Sequence, residues 1–186
     1  METSPSAEMI QYFEARTWRH IRLVRLLLSA FPAEPVLHRE LELRGKLHDQ
    51  SKFEADERLA YIWLTEWHRC RNHGIPFAYP VGVESSIGNA INHHLTNNRH
   101  HPEFHPSPSS MSRVDIVEMC CDWTAMSLEK DGIRGSARKF ANDTVGTKWM
   151  FDETSREQIF TNIEILDDVV HLKSMTKRIM SELVRS

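Results

Sequence analysis

The chain has 186 residues, of which 40% are apolar and 26% charged, a globular balance with enough residues for one substantial core. Its formal net charge is -3 with no long basic tract, which argues against duplex DNA as a partner, since that affinity rests on neutralising phosphates; a locally basic pocket for a nucleotide stays open. Three cysteines form no paired framework and no apolar run approaches the roughly 18 residues of a membrane span, so the sequence reads as a cytoplasmic chain in a reducing compartment, off the membrane.

Residues 1–7 read as a disordered leader and 8–186 as one helical domain. A first helix is predicted over 7–31. Its apolar residues Ile10, Phe13, Ile21, Val24, Leu27 and Leu28 recur on one face, and His20 falls in the middle of that stripe. A histidine there is either a core residue bonded to a carbonyl or a ligand. Pro32 and Pro35 interrupt the chain, and a second helix is predicted over 35–46. The stretch Leu47-His48-Asp49-Gln50-Ser51-Lys52-Phe53 follows. Adjacent imidazole and carboxylate suit Zn, Mn, Fe or Co better than Ca, although a helix-end histidine before an aspartate N-cap gives the same dipeptide.

A third helix is predicted over 54–72, with Leu59, Ile62, Trp63 and Trp67 and a charged start that suits a helix N-terminus. After a loop over 74–82, a fourth is predicted over 84–99 on the stripe Ile87, Ala90, Ile91 and Leu95. The same wheel sets His94, Asn98 and, if the turn continues past the restriction imposed by Pro102, His101 beside that stripe. His93 and His100 fall on the flank, so each histidine doublet is expected to divide into an inward and a rim member. Residues 102–111 form a Pro- and Ser-rich loop containing Glu103 and His105, read as a lid, a rim or a passive connector.

Ser112 is the expected N-cap of a fifth helix over 112–129, with Asp115 as its capping-box acid. That helix is apolar on most sides, crossed by one acidic stripe of Asp115, Glu118 and Asp122. Either the stripe is solvated, or it is buried and needs a metal or a basic partner to offset the cost. Residues 131–152 are read as irregular, and Arg134, Arg138, Lys139 and Lys148 make them the most basic segment, facing an anionic substrate or plain solvent. A last helix over 153–184 reads as scaffold. With no alternating strand pattern and no repeat, the fold class is all-α, a bundle of about six helices.

Taken in order, His20, His48-Asp49, the His94 and His101 region and Asp122 resemble the HD-domain superfamily. That superfamily is all-helical and uses the order H…HD…D to bind a divalent metal; members with further histidines bind two. The resemblance implies His20, His48, Asp49 and Asp122 as metal ligands, His94 and His101 as the added pair, and one or two ions of Mn, Fe, Co, Ni or Zn. HDQSK also matches the HD-x-x-K variant, whose lysine, here Lys52, faces the anionic group of the substrate. Over residues 18–130 the chain further resembles a small HD-like family marked by HDxSKF, NxHHPE and EMxxDW, present here as HDQSKF, Asn98 to Glu103, and Glu118 to Trp123. That family implies no substrate. Two features depart from the pattern. Gln50, Ser51 and Lys52 stand where many HD nucleotidases carry a glutamate, and the two intervening histidines are close in sequence, so that one of them is a ligand and the other a substrate contact in an alternative assignment.

These ligands imply metal-dependent hydrolysis of a phosphomonoester or phosphodiester, in a nucleotide or a related small anion, through a metal-activated water. Lys52, with His93 or His100, is expected to stabilise charge on the phosphoryl oxygens, with Asn97 and Glu103 as further substrate contacts. Glu118 or His101 would give a proton to the leaving oxygen or hold the metal water. The same ligand order resembles the mixed-valence di-iron oxygenases of the superfamily, which cleave a C–C or C–P bond. A third reading is a binding module that keeps a closed, structural metal. Trp63, Trp67 and Trp123 are expected in the core; the other place for them is an apolar interface in a homo-oligomer.

Overall fold

The computed structural model describes residues 4–184. Their α-helices are α1 (Ala7–Ala30), α2 (Pro35–Leu47), α3 (Arg58–Asn72), α4 (Val83–Asn97), α5 (Arg113–Asp131), α6 (Arg138–Thr144), α7 (Glu153–His171) and α8 (Lys173–Val184). No strand occurs among the described residues, so the fold is all-α. No helix among them is long and apolar enough to cross a membrane. Of the expected leader, residues 1–3 lie outside the described residues, and Ser6 Oγ already accepts from the Met9 amide at 3.2 Å in the first turn of α1.

Eight α-helices stand where about six were expected. The basic segment holds α6. The last predicted helix breaks at Leu172, whose backbone is extended (φ -63, ψ 128), just after the β-branched Val169 and Val170, which are weak helix formers. α3 starts at Arg58 because Gln50–Phe53 first form a 3-10 turn, with Lys52 N bonded to Asp49 O at 3.2 Å. The first α-type bond is the one from Arg58 N to Glu54 O, 2.8 Å.

The chain divides into two units. The smaller comprises the described residues up to Trp18 together with Asp49–Asn98. Its core is Ala60 and Trp63 of α3 against Ile87 and Ala90 of α4, with Phe77, Tyr79 and Ile91 packed around them. Ion pairs from Arg58 to Glu14 and from Arg69 to Glu8, both 2.7 Å, hold α3 to the first half of α1. Phe53, the last residue of the HDQSKF stretch, stacks on Trp18 at 4.9 Å and meets Phe13 at 5.8 Å, which anchors the loop that carries Asp49.

The larger unit comprises Arg19–His48 and the chain from Arg99 onward. α5 is its centre: every residue from Asp115 to Ala125 is buried. A helix covered on all sides has to meet several neighbours. Leu23, Val24 and Leu27 of α1, Leu41 of α2, Ile159 and Ile163 of α7 and Ile179 of α8 share one apolar cluster with it. Its N-terminus carries the capping box expected from the sequence, Ser112 with Asp115. Gly135 lets the following turn close on α5, since a Cβ there would stand 2.3 Å from the Ser127 carbonyl oxygen.

That contact predicts opposite outcomes for two glycines. Gly135→Ala forces backbone apart and is expected to destabilise by roughly 1–3 kcal/mol. Gly88, inside α4 with nothing within 4 Å of its missing Cβ, is expected to gain about 0.5–1 kcal/mol as alanine. At about 2–4 °C per kcal/mol for a chain of this size, thermal unfolding separates the two; equal midpoints for both variants would contradict the packing described.

Candidate metal centre

Within the larger unit, α5 presents Glu118 and Asp122 four residues apart on one side, with Glu129 seven further along. His20 of α1 sets Nε2 2.9 Å from Asp122 Oδ1 and Nδ1 3.2 Å from Glu129 Oε2. His48 is the C-cap of α2. Its Nδ1 lies 3.0 Å from Glu118 Oε1 and its Nε2 3.9 Å from Asp122 Oδ1. His100 sets Nδ1 3.5 Å from the same Glu118 oxygen, and its ring centre is 4.4 Å from that of His48. All five of His20, His48, His100, Glu118 and Asp122 are buried. One donor atom from each of His48, His100 and Glu118 lies within 4.8 Å of the others. Imidazole nitrogens and carboxylate oxygens converging at that spacing can hold a metal ion.

The charges of this cluster are mutually supported. Arg44 Nε stands 3.5 Å from Glu118 Oε2, and its Nη2 donates to Asp115 Oδ1. Asp115 Oδ2 accepts from Arg99 at 3.1 Å and from the Ser112 amide at 3.0 Å. Burial alone would lower the His20 pKa, but hydrogen bonds to Asp122 and Glu129 outweigh it and hold the imidazole at about 9. Burial would raise Asp122, and the His20 partner overrides it and holds the carboxyl far below its ordinary range. Glu118 is likewise opposed by burial, yet His100 and His48 bring it to about 2. Glu118 is therefore held as a carboxylate facing two imidazoles. Burial and the neighbouring His48 push His100 down, toward a neutral ring.

The smaller unit has its own cluster. His48 (φ -51, ψ 125) and Asp49 (φ 57, ψ 14) take the angles of a type II turn, with Asp49 at the position that favours glycine. Asp49 is the one non-glycine residue with positive φ among those described. Its Oδ1 lies 3.2 Å from His94 Nε2 and its Oδ2 2.5 Å from Lys52 Nζ. Lys52 also stands 5.3 Å over the Tyr61 ring. His94 Nδ1 faces Glu57 Oε2 at 2.9 Å, and His93 Nδ1 faces Glu57 Oε1 at 2.8 Å. Burial would raise Glu57, but His94 and His93 hold it low. Burial and Lys52 would lower His94, and Asp49 and Glu57 raise it on balance.

The histidine doublets divide as expected only in part. His94 is buried and His93 half-exposed, but His100 is the buried member of the second pair and His101 the half-buried one, its ring 4.2 Å from that of His100. The helical wheel fails there because α4 ends at Asn97 and Asn98 is already extended (ψ 119). Of the expected substrate contacts, Asn97 is exposed and donates to the His93 carbonyl of its own helix at 2.8 Å. Glu103 accepts from Trp149 Nε1 at 3.1 Å and pairs with Lys148 at 3.3 Å. Sequence reasoning missed Glu129, Arg44 and Glu57. Glu129 was recoverable, since seven residues from Asp122 is two helical turns; Arg44 and Glu57 meet their partners only through the tertiary fold.

The shifted groups predict a pH profile for the chelator-treated protein. A raised histidine contributes stability that is full below its ordinary 6.5 and fades as pH climbs through about 9. Glu118, depressed from 4.5 to about 2, contributes stability that is full above 4.5 and fades as pH falls toward 2. Thermal midpoints are expected to be highest between about 4.5 and 6.5, and His20→Gln is expected to flatten the alkaline fall. An alkaline fall identical in parent and variant would remove His20 as its cause.

No curated protein and no solved structure matches the chain. One family's sequence model matches residues 9–185, and its description is DUF5662, a family of unknown function. With nearly the whole length matched, the chain belongs to the DUF5662 family.

Proposed function

We propose that this chain is a metal-dependent phosphohydrolase of the HD type, acting on a nucleotide or a related small phosphoester. The observation that carries the reading is the meeting of three of the four signature residues in the larger unit. Nε2 of His20 and Nε2 of His48 face the same Asp122 Oδ1, at 2.9 and 3.9 Å. The fourth, Asp49, is the next residue after His48.

A divalent transition metal, when bound, lowers the pKa of a coordinated water toward neutrality and polarises a phosphoryl oxygen. The chain's own groups prepare for it. Glu118 engages Nδ1 of His48, which leaves Nε2 as the nitrogen for a cation. His100, kept toward neutrality by burial, offers an imidazole without first losing a proton, whereas His20 must release one. In the smaller unit Lys52 carries the charge that the HD-x-x-K signature assigns to the substrate's anionic group. Its ion pair with Asp49 and its place over Tyr61 fix the ammonium for that role.

Elemental analysis of protein purified without chelator is expected to find one or two equivalents of Mn, Fe, Co, Ni or Zn per chain, and the loaded protein is expected to release phosphate from a nucleotide panel. About two equivalents of iron with oxygen uptake would redirect the reading to a di-iron oxygenase, and bound metal without turnover to a binding module. His48→Ala, Asp49→Asn and Asp122→Asn are each expected to lose metal while helical circular dichroism persists. Lys52→Ala is expected to keep the metal and lose about 10²–10³ in kcat/KM. Full metal content in all three ligand variants would end the ligand assignment.

A further inference from the structure

The geometry points to Glu57 as the positioning residue of His94: it holds Nδ1–H of that imidazole and so commits Nε2, which faces Asp49, to a metal ion. The inference rests on the metal-dependent reading above and adds a residue that the signature does not contain.

Glu57 is a fully buried carboxylate, 0% exposed, and taking such a group out of water costs several kcal/mol unless it is well partnered. It occupies the N-cap position of α3, yet its side chain makes no capping hydrogen bond, so helix capping does not account for it. Both of its oxygens go to neighbouring imidazoles instead: Oε2 to His94 Nδ1 at 2.9 Å and Oε1 to His93 Nδ1 at 2.8 Å. The second oxygen, held by His93, restrains the carboxylate beside His94, whose Nδ1 also has Asn98 Nδ2 at 3.1 Å and Ser51 Oγ at 3.3 Å; Glu57 at 2.9 Å is the nearest of the three. A histidine that ligates a metal commonly donates its other N–H to a carboxylate, which fixes the tautomer and the ring plane and raises ligand basicity.

The other side of the ring fits the same role. His94 Nε2 and Asp49 Oδ1 are 3.2 Å apart, a separation that suits two donors sharing one ion through bonds of about 2.1 Å. Asp49 is held in the left-handed region, φ 57, to bring its carboxylate there. The pattern recurs in the larger unit. His48 turns Nδ1 to Glu118 and Nε2 toward Asp122, and His20 turns Nδ1 to Glu129 and Nε2 to Asp122. In all three cases a glutamate takes Nδ1 and an aspartate stands at Nε2.

The test is a titration of zinc ions into full-length protein carrying 15N-histidine, followed at the ring nitrogens of His94. In the parent, Nδ1 is expected to keep the shift of a protonated nitrogen throughout, while Nε2 moves on metal binding. Glu57→Gln is expected to weaken the zinc affinity read at His94 by about 10- to 100-fold. Glu66→Gln, which alters another buried acid of α3, bonded to Arg69 and Cys70, is expected to leave that affinity unchanged. If Nδ1 is the nitrogen that moves, or if Glu57→Gln binds zinc within twofold of the parent, the positioning role is overturned and the metal-dependent reading stands. If no histidine of the parent responds to zinc, the metal-dependent reading falls and takes this inference with it. Should Glu57→Gln fail to fold, the nitrogen assignment in the parent decides alone.

Discussion

Burial of carboxylates on α5 is the constraint on which the larger unit depends. Asp115, Glu118 and Asp122 all lie inside a helix that is covered on every side. Each would cost on the order of several kcal/mol there if left without a counter-charge. Arg44 and Arg99 meet Asp115, Arg44 also stands beside Glu118, His48 and His100 face the other Glu118 oxygen, and His20 meets Asp122. These partners come from α1, α2 and the segment after α4. The polar contacts therefore select how those elements dock on α5, a selection that the apolar contacts of Leu27 or Ile163 leave broader because dispersion is not directional.

The smaller unit obeys the same rule with different parts. Glu57 is its most deeply buried acid, and two histidines from α4 meet it. Asp49 is its strained residue. A type II turn asks for glycine where Asp49 sits, and a side chain there costs of order 1–3 kcal/mol. Glycine would leave Lys52 and His94 without the carboxylate that both now face. The strain and the carboxylate are thus one choice, and the turn explains how two adjacent residues serve different partners. His48 reaches Glu118 in the larger unit, and Asp49, one peptide bond later, reaches His94 in the smaller.

Much of this was legible in the chain, and the failures have physical reasons. Helical periodicity placed His20 on the buried face of α1 and aligned Asp122 with Asp115 and Glu118 along α5, because both lie inside long, regular helices where spacing fixes direction; it left open whether the acidic stripe was buried. The capping box at Ser112 is local chemistry and was equally readable. Periodicity misassigned His100 and His101 because it was extended past Asn97, where the helix had already ended; Pro102 marks that boundary, and the residues before it follow loop geometry. The single helix expected over 153–184 breaks at Leu172, where no proline or glycine marks the stop. Glu57 sat in an acidic run that reads as an ordinary helix start, and only the docking of α4 on α3 brings His93 and His94 to it. Residues whose direction is set by regular helical spacing or by a local cap can be read from it; residues such as Glu57 and Arg44, whose role is set only by the partners that the tertiary fold brings to them, cannot.

The cluster is also hard to explain by stability alone. Replacing buried ion pairs with apolar side chains of similar volume is commonly neutral or stabilising by about 1–4 kcal/mol. α5 already has Ile116, Val117, Met119 and Leu128 to build a core without help. In the larger unit His20 and His48 each set one ring nitrogen toward a glutamate and the other toward Asp122, which an apolar core does not require. The arrangement sets imidazole nitrogens against carboxylates that their neighbours keep ionised. Buried imidazoles and carboxylates at this spacing are a donor set that can hold a metal ion.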